Sequence, residues 1–304
     1  MKRALADLPI DGEIIRNPME NGEIPTDLTC PALLDDLAAI ASRAAAAIMD
    51  RRRAGISVRG KADASPVTDA DMASEAIILE GLARVLPGIL VVSEEAEVLK
   101  QTRLVPDTFI LVDPLDGTRE FVAGRDEFTV NIAVVHRERP VAGIVSAPAL
   151  DTLWRGASGV GAERLQLSCG AHPKDAATRS VLRTAAHRGG TRPGPWRAMV
   201  SRSHPDPATE HWLRQLPDIE CIDCGSSLKF CRIAEGLADV YPRLSPTSEW
   251  DIAAGDAVLS AAGGAVLTLE GELLRYGQVV RKLKVPSFIA WSDATDAARV
   301  SSAP

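Results

Sequence analysis

Two acidic runs directly follow apolar stretches of the kind that form buried strands. Ile-Leu-Val-Val leads into Ser93-Glu94-Glu95, and Phe-Ile-Leu-Val leads into Asp113-Pro-Leu-Asp116. The ends of strands can hold side chains rigidly while leaving them open to solvent. Carboxylate oxygens are hard ligands that suit Mg²⁺. The two runs therefore predict a site for divalent cations.

The spacing within the second run adds detail to this prediction. Pro114 fixes its own φ, so the turn is stiff and the carboxylates of Asp113 and Asp116 can converge. The carbonyl of Leu115 is then available as a further ligand. Gly117-Thr118 follow directly, and a helix that begins there would offer free N–H groups to a phosphate. Cation ligands beside an anion site are what phosphoryl transfer requires.

Two further acidic residues have competing explanations. Asp251 opens a predicted helix, where the helix dipole favours an acid in any case. Asp71 stands three residues after Thr68, which is the spacing of a capping box. From spacing alone, a role as helix cap and a role in chemistry both stay open at each position.

Helical and strand periodicities predict the elements that position these residues. The first part contains helices from Pro31 to Gly55, with Thr29 as cap, and from Met72 to Pro87, strands at 89–92 and 109–112, and a hairpin of 128–135 with 141–145. The second part contains strands at 198–200, 219–222, 238–241, 265–269 and 287–291, and helices at 207–216, 227–236 and 250–262. The pattern divides the chain into an N-terminal extension (1–29), an α+β half (30–175) and an α/β half (176–304). The Gly/Pro-rich stretch 187–196 is predicted as an exposed loop.

Composition limits the class of protein. Among 304 residues, 34 are basic and 41 acidic, for a net charge of −7, which argues against binding a nucleic acid polymer. No apolar run is long enough for a transmembrane segment. Five cysteines in a chain of this size suggest reduced thiols, so we expect a cytoplasmic protein.

Several motifs together resemble a known family. The stretches DPLDGT and WDIAAGDAV resemble those of the lithium-sensitive, Mg²⁺-dependent phosphatases related to inositol monophosphatase. SRSH, GSSLKFC, YPR, KADASPVTDAD and DEFTVNIAVV resemble the bacterial 3'(2'),5'-bisphosphate nucleotidase branch. The likeness runs from Pro31 to Trp291. It implies an α/β (α+β) fold, a layered αβαβα sandwich.

The resemblance also implies roles for individual residues. Glu94, Asp113, Asp116 and Asp251, with the Leu115 carbonyl and Asp71, would hold two or three Mg²⁺ ions. Asp71 and Thr118, with Glu94, would form the catalytic group that orients and deprotonates the attacking water. Substrate would contact Leu115, Asp116, Gly117, Thr118, Gly225, Ser226, Ser227, Lys229 and Asp251, with Ser201, His204 and Arg243 as neighbours. Arg119 stands where this branch often has Lys, and an Arg does not replace a Lys without consequence.

The implied reaction is removal of the 3'-phosphate of adenosine 3',5'-bisphosphate, giving AMP and phosphate. The partner is thus a small phosphorylated nucleotide; the oligomeric state is not predicted, and the resemblance leaves a peripheral association with the inner membrane open. Two alternatives remain: an inositol or sugar phosphate phosphatase with the same metal site, and a non-catalytic, metal-dependent ligand-binding protein. A third comes from Cys221-Ile-Asp-Cys224, although a lone CxxC is a weak signal for zinc or redox chemistry.

Overall fold

The computed structural model describes residues 24–56, 58–60, 66–95, 105–185, 194–203 and 205–301. The helices of this part are α1 (Pro31–Ala54), α2 (Asp69–Val85), α3 (Thr118–Val122), α4 (Pro207–Leu213), α5 (Leu228–Ala234), α6 (Glu249–Ala261) and α7 (Thr295–Ser301). Within these residues, no helix combines the length and apolar character needed to cross a membrane.

The strands form two large sheets and two small ribbons. They are β1 (Val58–Gly60), β2 (Pro66–Thr68), β3 (Leu90–Ser93), β4 (Thr108–Asp116), β5 (Thr129–His136), β6 (Arg139–Ala147), β7 (Thr152–Ala157), β8 (Gly161–Gln166), β9 (Thr178–Val181), β10 (Trp196–Ser201), β11 (Ile219–Cys224), β12 (Val240–Arg243), β13 (Thr247–Ser248), β14 (Ala265–Thr268), β15 (Lys284–Val285) and β16 (Phe288–Trp291). A seven-stranded sheet has the order β3-β4-β5-β6-β7-β8-β9, and a five-stranded sheet has the order β11-β10-β12-β16-β14. The pairs β1–β2 and β13–β15 form the ribbons.

Helices and sheets alternate as five layers. Helices α1 and α2 cover one face of the seven-stranded sheet, where Leu37 and Ile78 pack in one apolar cluster with Ile132. Helices α5 and α6 lie between the two sheets, in a second cluster that joins Val145 to Phe288. Helices α4 and α7 cover the outer face of the five-stranded sheet. The predicted αβαβα sandwich is confirmed, because each sheet buries both faces against helices.

Helix α1 begins at Pro31, as predicted, but its N-cap lies one residue later than predicted. Thr29 does not cap it, so that prediction was wrong; Cys30 is the N-cap, and its Sγ accepts from the Leu33 N–H at 3.4 Å. Pro31 occupies the first helical position, where its missing N–H has no intrahelical partner to lose. Gly55, with φ of 101°, ends the helix as predicted.

The hairpin β5–β6 is confirmed, and three strands that the sequence pattern missed follow it. Strands β7, β8 and β9 extend the seven-stranded sheet. Apolar periodicity does not reveal β8 because this strand carries charged residues, or β9 because all four residues of this edge strand are exposed. This sheet therefore continues past residue 175, and the division of the chain into two halves stays a prediction. Residues 1–23 of the extension and 187–193 of the predicted loop lie outside the described residues.

Candidate active site

A β-bulge brings two of the predicted ligands together. Asp113 pairs with Asn131 and Asp116 with Thr129, so four residues of β4 stand opposite three of β5. In a regular strand, side chains three residues apart point to opposite faces. The extra residue in the bulge turns one of the two side chains to the other face. Both carboxylates therefore line the same cavity. Ser74 in α2 holds the turn by donating to the Pro114 carbonyl at 2.7 Å.

Two more carboxylates reach this point from other elements. Strands β3 and β4 are parallel neighbours, so Glu94 follows β3 at the edge where Asp113 lies. Asp251 comes from the first turn of α6. One oxygen each of Glu94, Asp113 and Asp251 lie within 4.8 Å of one another. With Asp116 beside them in the cavity, the four predicted carboxylates form one cluster.

Asp251 serves as a helix cap and as a member of this cluster. Its Oδ2 accepts from the Ser248 N–H at 2.9 Å and from the Thr247 hydroxyl, completing a capping box. The two explanations that the sequence left open are therefore compatible, because capping fixes the side chain's orientation through one oxygen only.

The two carboxylate oxygens of Asp71 likewise have different partners. Its Oδ2 accepts from the Thr68 N–H at 2.8 Å and from the Thr68 hydroxyl at 2.6 Å, which is the predicted capping box. Its Oδ1 lies 3.3 Å from the Thr118 hydroxyl, which also lies 3.1 Å from the Leu115 carbonyl oxygen. Thus a buried carboxylate of α2 meets the hydroxyl that follows the Asp-Pro-Leu-Asp turn.

The electrostatics of the cluster fit a divalent cation. Burial, and then repulsion from Glu94, Asp116 and Asp251, raises the pKa of Asp113 well above its usual value. Burial and the neighbouring Asp251 raise the pKa of Asp116 to about 7, although Lys229 acts in the opposite direction. Like charges held this close are costly unless a cation offsets them. An all-oxygen donor set is the one that Mg²⁺ prefers.

The cluster lines a cavity of about 330 Å³. Most of the predicted substrate residues also line it: Leu115, Asp116, Gly117, Thr118, Ser201, Ser226, Ser227, Lys229, Arg243 and Asp251. Gly225 is not among the lining residues; its N–H instead donates to Glu127 at 3.0 Å, behind the wall. His204 lies outside the described residues.

The turn Gly225-Ser226-Ser227 is tied to the carboxylate side of the cavity. The Ser227 N–H donates to Asp116 Oδ2 at 2.6 Å, and the Ser227 hydroxyl lies 2.8 Å from Thr129 Oγ1 and 2.7 Å from Asn131 Oδ1. Ser226 has φ of 47°, so the turn is backbone-strained. A contact on this turn is therefore positioned relative to the carboxylate cluster.

Comparison with known proteins shows the family to which the chain belongs. The model of the inositol monophosphatase family matches residues 33–300. The chain belongs to the inositol monophosphatase family. A 3'(2'),5'-bisphosphate nucleotidase CysQ from Shigella flexneri is 39% identical over 246 residues, which are 80% of this chain and 94% of the relative. The protein of the same name from Salmonella typhimurium is 42% identical over 216 residues, 71% of this chain and 81% of the relative.

Solved structures of the family share the fold. CysQ from Bacteroides thetaiotaomicron is 33% identical, with a TM-score of 0.70, over 86% of this chain and 96% of that one. An inositol monophosphatase from Anabaena is 24% identical with a TM-score of 0.66, and shows the fold alone. The predicted resemblance to CysQ-type nucleotidases is thus confirmed, and the chain is an enzyme, a phosphoric monoester hydrolase.

Three residues of the site were missed by the sequence patterns. Glu120 lines the cavity and accepts a short hydrogen bond from the Ser203 hydroxyl. It follows Thr118 by two residues, so its place within the motif was a usable signal. Asn131 joins the site only through the β4–β5 register. Lys284 lines the cavity from a segment to which no pattern was assigned, so no signal pointed to it.

The Cys221-Ile-Asp-Cys224 motif does not form a redox or zinc pair. Both cysteines are free and lie in β11, where Cys221 is exposed and Cys224 buried. Positions three apart in a strand face opposite sides. Burial also raises the pKa of the Cys224 thiol, which disfavours the reactive thiolate.

Lys229 stabilises the Ser226 turn through hydrogen bonds to the backbone of the turn. Lys229 is 4% exposed, and its ammonium donates to the carbonyls of Cys224 and Ser226 at 3.3 and 2.5 Å. Lys229→Met should lower the free energy of unfolding by about 2 kcal/mol, since hydrogen bonds to charged groups are worth roughly that much. Urea unfolding of this variant beside the exposed Lys174→Met variant measures it. Equal stability of the two variants would show that the ammonium does not hold the turn.

Proposed function

We propose that the enzyme removes the 3'-phosphate of adenosine 3',5'-bisphosphate in a Mg²⁺-dependent reaction that yields AMP and phosphate. The observation that carries this proposal is the carboxylate cluster of Glu94, Asp113, Asp116 and Asp251 beside the Thr118–Asp71 pair. The relatives named 3'(2'),5'-bisphosphate nucleotidase support the choice of substrate.

The four carboxylates and the Leu115 carbonyl would hold two or three Mg²⁺ ions, with Asp71 as a further ligand. When bound, Mg²⁺ supplies positive charge to the phosphate oxygens and makes water a better nucleophile at neutral pH. The protein contributes the rigid placement of the oxygens, because the bulge, the two capping boxes and the Ser74 hydrogen bond fix the side chains before substrate arrives.

Thr118 and Asp71 provide a path for the proton of the attacking water. The Thr118 hydroxyl can accept a hydrogen bond from the water while it donates its own proton towards Asp71 Oδ1, 3.3 Å away. Because Thr68 occupies Oδ2, the carboxylate presents Oδ1 to Thr118. The water oxygen bonds to phosphorus, the bond to the ribose 3'-oxygen breaks, and that oxygen takes up a proton to give the free hydroxyl.

The other wall of the cavity would bind the nucleotide. Ser201, Ser226 and Ser227 offer hydroxyl groups, and Lys229 and Arg243 offer positive charge to the remaining phosphate. His204 is proposed as a neighbour of this wall by family resemblance. Gly117 is the N-cap residue of α3, with φ of 87°, and would offer its amide, with that of Thr118, to the phosphate being hydrolysed.

A phosphate-release panel tests the proposal. We expect kcat/KM for adenosine 3',5'-bisphosphate to exceed that for inositol 1-phosphate and a sugar phosphate by about tenfold or more, because a hydrogen bond to a charged group contributes roughly 1.5–3 kcal/mol. EDTA should abolish release, and Mg²⁺ should restore it. A preference for inositol phosphate would support the alternative substrate, and binding without release would indicate a non-catalytic protein.

A further inference from the structure

Lys284 is a cation at the cavity that neither the motifs nor the family resemblance assigned. It lies in the ribbon β13–β15, where its register partner is Ser248, the N-cap residue of α6. Its Nζ donates to the Ser248 hydroxyl at 2.6 Å. This hydrogen bond holds the ammonium beside Ser248, which precedes Asp251 by three residues in the chain. Lys284 and Asp251 line the same cavity.

Among the residues that the structure describes, no carboxylate neutralises the charge on Lys284. No other described residue forms an ion pair with it, and its side-chain partner, a serine hydroxyl, carries no charge. An ammonium has three N–H donors, so one hydrogen bond to Ser248 leaves donors for a ligand. Lys284 is exposed, whereas its neighbour Val285 is buried, so the strand directs alternate residues outward and inward.

Two of the other cations that line the cavity are more strongly committed to the protein. Lys229 is buried beneath the Ser226 turn and donates to two backbone carbonyls. The Arg243 guanidinium donates to the carbonyls of Ser245 and Pro246 at 3.3 and 3.5 Å. Lys284 differs from these two because a single hydrogen bond, to the Ser248 hydroxyl, holds its ammonium.

The cavity offers two kinds of group to phosphate. A phosphate beside the carboxylate cluster binds only through cations. The segment 243–252, which carries Asp251, also brings Arg243 and, through the Ser248 pairing, Lys284 to the cavity. A second phosphate bound by these two cations would meet positive charge directly, without a metal ion.

We propose that Lys284 binds the phosphate that the enzyme does not hydrolyse, and so determines its preference for bisphosphorylated over monophosphorylated nucleotides. This inference rests on the proposed function, since it takes the second phosphate of that substrate as the ligand. It adds to that function a specificity residue outside the metal site.

The test compares adenosine 3',5'-bisphosphate with adenosine 3'-monophosphate, which lacks the second phosphate. In Lys284→Met, the ratio of their kcat/KM values should fall about tenfold or more, because only the bisphosphate loses a charge-assisted hydrogen bond. Lys284→Arg should retain most of the ratio. The matched control is Lys282→Met, which removes an exposed lysine of the same segment that does not line the cavity and should leave the ratio at the parent value.

A parallel loss for both substrates would overturn the proposal, because it would mean that Lys284 acts only by supporting Ser248 and Asp251. Binding of AMP, which retains the second phosphate, gives a readout without turnover. Its affinity, measured by titration calorimetry, should fall about tenfold in Lys284→Met but not in Lys282→Met. If the parent enzyme hydrolyses neither nucleotide, the proposed function fails, and the AMP titration still decides whether Lys284 binds phosphate; equal affinities would refute the proposal.

Discussion

Asp116→Asn should lower kcat for phosphate release by about a thousandfold, since bound metal ions contribute several kcal/mol to phosphoryl transfer and each 1.4 kcal/mol is about tenfold in rate. Asp116 lies at the bulge of β4, close enough to Asp113 and Asp251 for the negative charges to repel one another. Asn keeps the shape and one acceptor oxygen, so the Ser227 N–H retains a partner. The loss should therefore come from the missing charge.

The variant should remain folded, and its stability without Mg²⁺ should exceed that of the parent at pH 8. Burial raises the pKa of Asp116 to about 7 from an ordinary value near 3.8, so ionisation opposes folding of the metal-free protein. The advantage of Asn should be absent below about pH 4, grow up to pH 7, and then level off. Thermal unfolding in EDTA across this range measures it.

Asp107→Asn is the matched control, because Asp107 is exposed just before the opposite end of the same strand. It should retain the parent rate and the parent dependence of stability on pH. Full activity of Asp116→Asn would refute the assignment of this carboxylate to the metal site. An unfolded Asp116→Asn protein would refute the argument that its ionised carboxylate destabilises the metal-free fold.

Three of the four clustered carboxylates, Glu94, Asp113 and Asp116, could be predicted to meet because they lie in patterns that are local in the chain. A strand followed by an acid predicts where Glu94 and Asp113 lie, and the spacing of Asp113 and Asp116 predicts a shared target. The bulge that makes this possible could not be predicted, because it depends on the register of β5. Long-range pairing also decides which residues from outside the motifs enter the cavity.

The same reason explains why Lys284 and the last strands of the large sheet were missed. Lys284 reaches the cavity only because β15 pairs with β13, thirty-six residues earlier in the chain. Strand β9 is an exposed edge and carries no apolar signature. For Asp71, the residue spacing predicted its part in the capping box of α2 correctly. Spacing could not predict that the fold brings its second carboxylate oxygen to Thr118.

Thr118→Val should lower kcat by about a hundredfold, the lower range for loss of a positioned proton-transfer group. Valine has the shape of threonine but no hydroxyl, so it removes the link between the attacking water and Asp71 Oδ1. The metal ligands and the Thr68–Asp71 capping box stay intact. Half-saturation by Mg²⁺ should therefore change little while kcat falls, and Thr118→Ser should recover most of the rate because it restores the hydroxyl.

Thr152→Val provides the matched control for the loss of a threonine hydroxyl. Thr152 is buried and its hydroxyl donates to a nearby backbone carbonyl, that of Leu150, at 2.8 Å, but it does not line the cavity. Its removal should affect stability alone. If Thr118→Val and Thr152→Val both kept the parent kcat, the hydroxyl would not carry the proton. A fall in Mg²⁺ affinity for Thr118→Val would instead place the effect on the Leu115 carbonyl, to which the same hydroxyl lies close at 3.1 Å.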